Sequence, residues 1–308
     1  MSKTLGGAFF VWNGVKQDYS FIESLDCLYD MCDEISIIFG GDDGTVESIQ
    51  GWLLNYIPFD KKIHWRIIST EEWFSQKGRE KLSYFSNMAI EALTTDYFYY
   101  QQADEITHES SFPFIRQAIE TDQEAFLIHR INLWHSAYTG LNVSQDRLPV
   151  SNIIIRLAKK QYRCVDDAES VMAQASTDFI NHIRMYHVGF VRDKDKHLVK
   201  LKHMQEEVFL FDKVDQRIHD CPNGFDAWKW GFGPSDLIQI PEPLPKFIKK
   251  WADERLVDPF QDTEEGIRLA TEWLQCKLDM NSLDSIKDQK SLLKIANDFW
   301  WVMAKCNQ

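Results

Sequence analysis

The sequence predicts an α/β fold, with a mostly parallel sheet flanked by helices and a helical extension at the C-terminus. The main observation is that short apolar runs alternate with segments of helical periodicity over the first 130 residues. Such alternation implies parallel strands joined by covering helices. Of the 308 residues, 44% are hydrophobic and 13% are aromatic, which allows a large core and excludes a disordered chain. Two of the predicted strands also stop abruptly at acidic turns.

The first half of the chain consists of predicted strands and helices in strict alternation. The first helix follows Ser20-Phe21-Ile22-Glu23, which has the spacing of a capping box. The second strand ends at the acidic, Gly-rich turn Gly40-Gly41-Asp42-Asp43-Gly44-Thr45, and Pro58 ends the second helix. The predicted strands lie at 7–12, 34–39, 63–68 and 97–101, and the predicted helices at 21–32, 46–56 and 79–93.

The second half is less regular and contains the clearest break in the chain. We predict strands at 125–131 and 181–188 and a helix at 195–211. Pro241-Glu242-Pro243-Leu244-Pro245 then interrupts the pattern, and helices are expected at 247–252, 264–278 and 291–304. The predicted organisation is therefore a domain at 1–240 and a helical extension at 241–308.

Charge and cysteine content limit the environment and the partners of the protein. The net charge is −13, but residues 151–204 carry 10 basic and 6 acidic side chains and are the only basic region. This distribution suits a locally held anion and disfavours broad binding to nucleic acid. The six cysteines form no CxxC pair, as expected of reduced thiols in the cytoplasm. No apolar run is long enough for a membrane span, and the N-terminus has the pattern of a strand.

The most informative stretch is the strand that ends at two adjacent carboxylates, Asp104 and Glu105. Open α/β sheets bind ligands outside the carboxyl ends of their strands. A carboxylate there is well placed to hold a hard cation, which in turn holds phosphate oxygens. The alternative is an ordinary charged turn at the end of a strand.

Four segments together resemble family-2-type glycosyltransferases of the GT-A fold, which occur in bacteria and bacteriophages. These segments are Val11-Trp12-Asn13-Gly14, Cys32-Asp33-Glu34, Asp42-Asp43-Gly44-Thr45 and Gln102-Ala103-Asp104-Glu105. The resemblance covers residues 7–120 and reaches about 212. Two departures are Gly41, where the family usually has serine, and Gln102, which replaces the first aspartate of the metal-binding D-x-D motif.

The resemblance implies a metal-dependent transfer of a sugar from a nucleotide-sugar, with a UDP-sugar expected, to a hydroxyl acceptor. Asp104 and His187 would bind Mn²⁺ or Mg²⁺, which would neutralise the leaving diphosphate as a Lewis acid. For His187 the alternative is a core histidine beside Tyr186. A phage-encoded member would act in the cytoplasm of the host.

The resemblance also implies positions that contact the donor. Asn13 and Asp43 would contact the nucleobase or ribose, although both also suit plain turns. Arg79, Lys81 and Arg192 would reach the diphosphate. Arg192, Lys194 and Lys200 lie in the basic segment and could close over it as a lid, or could form a solvated helix face.

Inverting enzymes of this fold use a carboxylate from the second half of the domain as the base. Asp166 and Asp167 precede the segment Ala168-Glu169-Ser170-Val171, which we predict to be helical. Two adjacent carboxylates cannot both face one site, and we prefer Asp167 as the base. The alternative is that these residues cap the helix.

The acceptor is the least defined part of the prediction. Trp134 and Tyr138, in a predicted loop after the strand at 125–131, could stack on a sugar or a base, or belong to the core. The acceptor would be a glycan or a hydroxymethylated base in DNA, with Lys159, Lys160 and Arg163 on the DNA phosphates. Because Gln102 replaces an aspartate of the metal-binding motif, the chain could also belong to a different class of protein. It would then be a catalytically degenerate protein that binds nucleotides or a partner.

Overall fold

The structure is a computed structural model, and it describes residues 2–56, 61–134, 136–141, 151–192, 194–208, 237–240, 243–255, 264–278 and 288–306. The strands are β1 Leu5–Trp12, β2 Glu34–Gly40, β3 Lys62–Ile67, β4 Tyr97–Gln102, β5 Glu105–Thr107, β6 Ala125–Trp134, β7 Ser136–Leu141, β8 Ser151–Lys159, β9 Cys164–Val165, β10 Ser170–Val171, β11 Arg184–Phe190 and β12 Leu237–Gln239. The helices are α1 Phe21–Met31, α2 Thr45–Asn55, α3 Thr70–Ser75, α4 Glu80–Ala92, α5 Phe112–Glu120, α6 Lys194–His203, α7 Lys249–Asp253, α8 Glu264–Leu278 and α9 Gln289–Cys306.

The main sheet confirms the α/β class, with parallel strands and covering helices in the first half of the chain. Its strand order is β12-β7-β6-β8-β4-β1-β2-β3, and β11 pairs with β6 and β5 off this path. The strands β3, β2, β1 and β4 run parallel, as the alternation in the first half predicts. The remaining pairs are antiparallel except for β6 with β11.

Burial on both faces of the sheet explains why the sequences of the central strands are almost continuously apolar. Every residue of β1 and β2 is buried, because helices cover both faces of the parallel part of the sheet. One core cluster includes residues of α1, α2 and α5, and a second cluster includes residues of α4. By contrast β3 is the edge strand, and its Trp65 is 52% exposed.

Several elements differ from the expectations. Helix α1 begins after Ser20, but the Ser20 hydroxyl makes no cap hydrogen bond, so the expected capping box does not form. The predicted strand at 181–188 lies at Arg184–Phe190, and α6 continues as a π-helical turn, Met204–Val208. Strand β8, to which the sequence interpretation assigned no element, pairs antiparallel between β4 and β6.

Two further expectations in the second half are wrong. The segment expected to be helical after Asp167 is the turn of a short hairpin, β9–β10, and the predicted loop that contains Trp134 and Tyr138 consists of strands β6 and β7. In both places strand pairing takes precedence over the local propensity, which is a weak guide on its own.

The segment after the predicted boundary at 240 contacts the rest of the chain. Ile248 and Trp251 belong to the same apolar cluster as Cys27 of α1 and Ile106 of β5, and Lys246 forms an ion pair with Asp30 at 2.8 Å. The boundary itself stays a prediction. In the described part of the chain, no helix is long and apolar enough to cross a membrane.

A buried ion cluster links three strands of the sheet. Glu105 of β5 is fully buried, and its Oε1 lies 2.7 Å from Arg156 of β8 and 3.2 Å from Arg130 of β6. Its Oε2 accepts the backbone N–H of Gln102 at 2.9 Å. Burial alone would raise the pKa of Glu105, but the charges of Arg156 and Arg130 outweigh it, so the pKa lies below its ordinary value.

We predict that Glu105→Gln lowers the free energy of unfolding by roughly 3–5 kcal/mol, because it leaves the fully buried guanidinium of Arg156 without a carboxylate. The matched control is Glu91→Gln, which breaks the exposed pair with Arg163 at 3.4 Å and should change stability by about 1 kcal/mol or less. Urea unfolding of the three chains measures the difference. Equal losses in the two variants would contradict the prediction.

The same cluster predicts a pH dependence. A carboxylate whose folded pKa is depressed contributes stability above its unfolded pKa and loses it as the pH falls through the folded pKa. The stability difference between the wild-type chain and Glu105→Gln should therefore be full at neutral pH and shrink below the ordinary glutamate pKa of 4.5. Urea unfolding at a series of pH values measures this difference, and a constant difference would count against it.

Candidate active site

A cavity of about 280 Å³ lies at the carboxyl ends of β1 and β4. It is therefore at the sheet edge where open α/β folds bind ligands. Its wall combines aromatic side chains with a charged end. The residues that line it are Phe10, Val11, Trp12, Tyr19, Trp73, Leu82, Tyr100, Gln102, Ala103, Asp104, Asp167, Glu169, His187, Phe190, Lys200, His203, Met204 and Val208.

One side of the cavity is an aromatic stack. The rings of Trp12 and Trp73 lie 4.8 Å apart and nearly parallel, and Phe10 stacks on Trp73 at 6.0 Å. The ammonium of Lys81 lies 4.2 Å from the centre of the Trp73 ring. Such a surface suits a flat or apolar ring of a ligand.

The charged end of the cavity is centred on Asp104. Its Oδ2 lies 2.8 Å from the Nζ of Lys200 and 3.5 Å from the Nε2 of His187. Burial alone would raise the pKa of Asp104, but the charges of Lys200 and His187 hold it well below its ordinary value. Burial lowers the pKa of Lys200 to about 8, although Asp104 acts in the opposite direction.

The backbone at Gly189 allows Asp104 and His187 to approach each other. A Cβ at this position would lie 2.4 Å from Nε2 of His187 and 2.7 Å from Oδ2 of Asp104. The imidazole of His187 is held in place on its other side, since its Nδ1 lies 3.0 Å from the side-chain oxygen of Asn132. The glycine is therefore required by the close packing of the site.

Helix α6 and its π-helical turn form a wall of the cavity through Lys200, His203, Met204 and Val208. Glu207 joins this wall to the aromatic stack, because its carboxylate accepts the indole N–H of Trp73 at 3.2 Å. Its backbone carbonyl accepts a hydrogen bond from Lys81, also at 3.2 Å.

The turn between β9 and β10 brings two carboxylates to the cavity, Asp167 and Glu169. The residues on either side of Asp167 have left-handed backbone conformations, with φ of 49° at Asp166 and 61° at Ala168. This conformation is strained for alanine. The Ala168 carbonyl accepts a hydrogen bond from the fully buried Arg156 at 2.5 Å, so the turn is anchored to the ion cluster behind it.

The two carboxylates of the turn differ in their partners. Glu169 lies 2.5 Å from Arg130, whereas Asp167 forms no ion pair within the described ranges. Asp166 is not among the residues that line the cavity. Asp167 is therefore the carboxylate of this turn that is available to a ligand. The preference for Asp167 over Asp166 as the base stays a prediction.

Asn13 and Asp43 lie at the same sheet edge, but their side chains hold two loops together. The side-chain oxygen of Asn13 accepts the backbone N–H of Asp42 at 3.0 Å. Asp43 accepts the N–H of Lys16 at 2.5 Å and both the N–H and the hydroxyl of Thr45 at 3.1 and 2.6 Å. Neither residue lines the cavity, and their contacts with a donor stay predictions.

The basic residues expected at the diphosphate lie in three different settings. Arg79 is exposed at the start of α4, and Lys81 is buried beside the aromatic stack. Arg192 is fully buried and lies 5.4 Å from the centre of the Tyr19 ring, which lines the cavity. The side chain of Lys194 lies outside the described part of the structure.

The acceptor residues expected from the sequence lie on two adjacent strands. The backbones of Trp134 and Tyr138 belong to β6 and β7, but their side chains lie outside what the structure describes. Trp73, Glu169 and His203 also line the cavity, although they were not predicted to do so from the sequence. The position of Glu169 two residues after Asp167 is a local signal, and the sequence around Trp73 has no such signal.

The cation expected at Asp104 requires a suitable set of ligands. Asp104 and His187 supply one oxygen and one nitrogen, but an ammonium already contacts the same carboxylate oxygen. Glu105 faces the two arginines, and the Gln102 amide donates to the Ala168 carbonyl at 3.3 Å. Among the described residues no group of three or more His, Cys, Asp or Glu side chains could hold a metal. The residues, as arranged, do not fit a divalent cation.

Comparison with known proteins gives matches only at the level of structure. No protein-family profile and no curated protein matches the chain. The structure of S. aureus TarS residues 1–349 in complex with UDP-GlcNAc is 10% identical over 73% of this chain and 73% of that chain, with a TM-score of 0.35. In a longer S. aureus TarS structure, the match covers 44% of that chain, at 9% identity and a TM-score of 0.37.

A second kind of enzyme gives a similar match. The 4-diphosphocytidyl-2C-methyl-D-erythritol synthase of Anaerococcus prevotii is 16% identical over 52% of this chain and 71% of that chain, with a TM-score of 0.33. These identities and TM-scores are too low to carry an activity from one protein to another.

We predict that Gly189→Ala impairs the site, because the added methyl group must displace Asp104 or His187. The free energy of unfolding should fall by about 1–3 kcal/mol, since overpacking displaces the neighbouring side chains. The matched control is Gly51→Ala in α2, where an added Cβ meets nothing within 4 Å; it should add up to about 1 kcal/mol of stability. Urea unfolding of the three chains measures both effects, and a Gly189→Ala chain as stable as the wild type would contradict the prediction.

Proposed function

We propose that this protein is a glycosyltransferase of family-2 type that moves a sugar from a nucleotide-sugar donor, a UDP-sugar in the first instance, to a hydroxyl acceptor. The observation that supports this proposal is the cavity itself. An aromatic wall and a cluster of cations and carboxylates meet at the carboxyl ends of parallel strands. A nucleotide-sugar has the matching parts, namely flat or apolar rings and a charged diphosphate.

The proposed reaction is a displacement at the anomeric carbon of the donor sugar. Asp167 takes the proton of the acceptor hydroxyl, the acceptor oxygen forms a bond to the anomeric carbon, and the bond from that carbon to the diphosphate oxygen breaks. The nucleoside diphosphate leaves with the additional negative charge. The cationic end of the cavity, with Lys200 at Asp104, lies in the same space as Asp167 and stabilises that charge.

The expected Mn²⁺ or Mg²⁺ ion would, when bound, neutralise the diphosphate as a Lewis acid. Its ligands would be Asp104 and His187, which stand side by side. The position of Lys200 opposes this expected metal site, because its ammonium already contacts the carboxylate of Asp104.

The acceptor that we propose is a glycan hydroxyl, in preference to a hydroxymethylated base in DNA. The basic residues expected on DNA phosphates lie at or just after the end of β8, which pairs with the start of β4. Asp104 follows the other end of β4, and the length of that strand separates the two positions by on the order of 20 Å. Lys159 lies 3.2 Å from Asp122, and Arg163 lies 3.4 Å from Glu91. The charges of Lys159 and Arg163 are thus already paired with neighbouring acids.

A transfer assay on hydroxymethylcytosine DNA tests the choice of acceptor. Across a panel of labelled nucleotide-sugars, we expect transfer to oligosaccharide acceptors and no label on the DNA. Label on DNA, with a steep loss of binding as salt is raised, would reverse the choice while leaving glycosyl transfer in place.

We predict that Asp167→Asn lowers turnover by roughly 10²–10⁴, with little change in donor affinity, because an amide cannot accept the proton. Glu169→Gln should have a smaller effect, since Glu169 is already paired with Arg130. The control is Asp178→Asn, at an exposed position outside the cavity. Steady-state kinetics on the four chains separates the roles, and a larger loss in Glu169→Gln would assign the base to Glu169.

The same kinetics tests the alternative of a degenerate binding protein. Such a protein would bind a nucleoside diphosphate but would release none from any nucleotide-sugar, with or without acceptor. We expect slow hydrolysis of the donor even without acceptor, because water can enter the acceptor position.

A further inference from the structure

The ammonium of Lys200 occupies a defined position at the centre of the cavity. Its Nζ lies 2.8 Å from Oδ2 of Asp104 and 3.2 Å from the carbonyl oxygen of Gly189. The rings of Tyr19 and Phe190 flank it, with their centres at 5.1 and 5.8 Å. Two oxygens and two aromatic rings therefore hold the positive charge of Lys200. One of these oxygens belongs to Asp104, the carboxylate that the resemblance to the D-x-D motif assigns to a metal.

A second cation lies on the same aromatic ring. Tyr19 contacts both Lys200 and Arg192. Arg192 is fully buried and donates one Nη1 hydrogen bond to the backbone carbonyl of Gln17. Its Nε and Nη2 are buried and have no hydrogen-bond partner, and the same holds for both side-chain atoms of Gln17.

These groups bring two positive charges and several free donors to the Asp104 end of the cavity. Lys200 lines the cavity itself, and Arg192 contacts the ring of Tyr19, which also lines it. The carboxylate of Asp167 lines the cavity as well. Buried donors without acceptors are expensive, so they are usually satisfied by a ligand or by water. An anion with several oxygens, such as a diphosphate, matches both the charge and the free donors.

We propose that Lys200 and Arg192 together supply the two positive charges that a divalent cation would supply, so that the enzyme binds and releases the diphosphate without a metal. This inference rests on the proposed function, since it names the groups that receive the donor's diphosphate. Lys200 acts as a point charge at the cation position, and Arg192 offers a fork of two N–H groups. Gln102, in place of the first aspartate of the motif, is consistent with a site that needs fewer carboxylates.

Calorimetric titration of the full chain with UDP, GDP, CDP, ADP and dTDP tests this inference, once in excess EDTA and once in millimolar Mn²⁺. For the nucleotide that binds best, we expect the Kd in the two buffers to agree within about threefold. Lys200→Ala should weaken binding in EDTA at least about tenfold, because a charge-assisted hydrogen bond is lost. Mn²⁺ should restore that variant, since the carboxylate of Asp104 is then open to a cation.

The matched control is Lys202→Ala, an exposed position in the same helix, which should bind within about twofold of wild type. Wild-type binding that requires Mn²⁺, or Lys200→Ala binding at wild-type strength in EDTA, would overturn this inference and leave the proposed function standing. Failure of all five nucleotides in both buffers would overturn the proposed function together with it.

A measurement on the wild-type chain tests the inference independently of whether Lys200→Ala folds correctly. Free Mn²⁺ is followed by electron paramagnetic resonance during a titration with protein, with and without the nucleotide. We expect no uptake of Mn²⁺ at micromolar concentrations. Stoichiometric uptake would overturn the inference regardless of how the variants fold.

Discussion

The buried ion pair between Glu105 and Arg156 is the constraint on which the site depends. Glu105 and Asp104 are adjacent, and the fully buried Glu105 is committed to Arg156 and Arg130. Its neighbour Asp104 instead faces the cavity. Arg156 also donates to the carbonyl of Ala168, so the pair that orients Asp104 fixes the turn that carries Asp167. One desolvated pair thus sets the relative position of the two carboxylates that the proposed mechanism uses.

The rest of the site is built on that frame from distant parts of the chain. Strand β11 places His187 opposite Glu105 in the sheet, and Gly189 leaves room for the imidazole beside Asp104. Helix α6 then brings Lys200 to the same carboxylate. Trp73 of α3 and Leu82 of α4 complete the wall of the cavity.

The parallel half of the fold was predictable because its signal is local. Buried strands are apolar along their whole length, and the helices between them have one apolar face, so periodicity identifies each element. The hairpin β9–β10 and strands β7 and β8 were not predictable in this way. Strands β7 and β8 pair with β12 and β4, which lie far away in the sequence. The strands β9 and β10 form a short local hairpin, but the local pattern around Asp167 favours a helix.

The sequence by itself determined the fold class and placed Asp104 at the carboxyl end of a predicted strand, whereas His187 and Asp167 became candidates through the family resemblance. The first two were accessible because apolar periodicity and strand-ending carboxylates are written in consecutive residues. Only the tertiary structure decided that Asp104 meets an ammonium. Lys200 lies 96 residues away along the chain, and contacts over such separations arise from sheet topology and packing. The charge balance of a buried site is therefore a property of the folded chain and not of any motif within it.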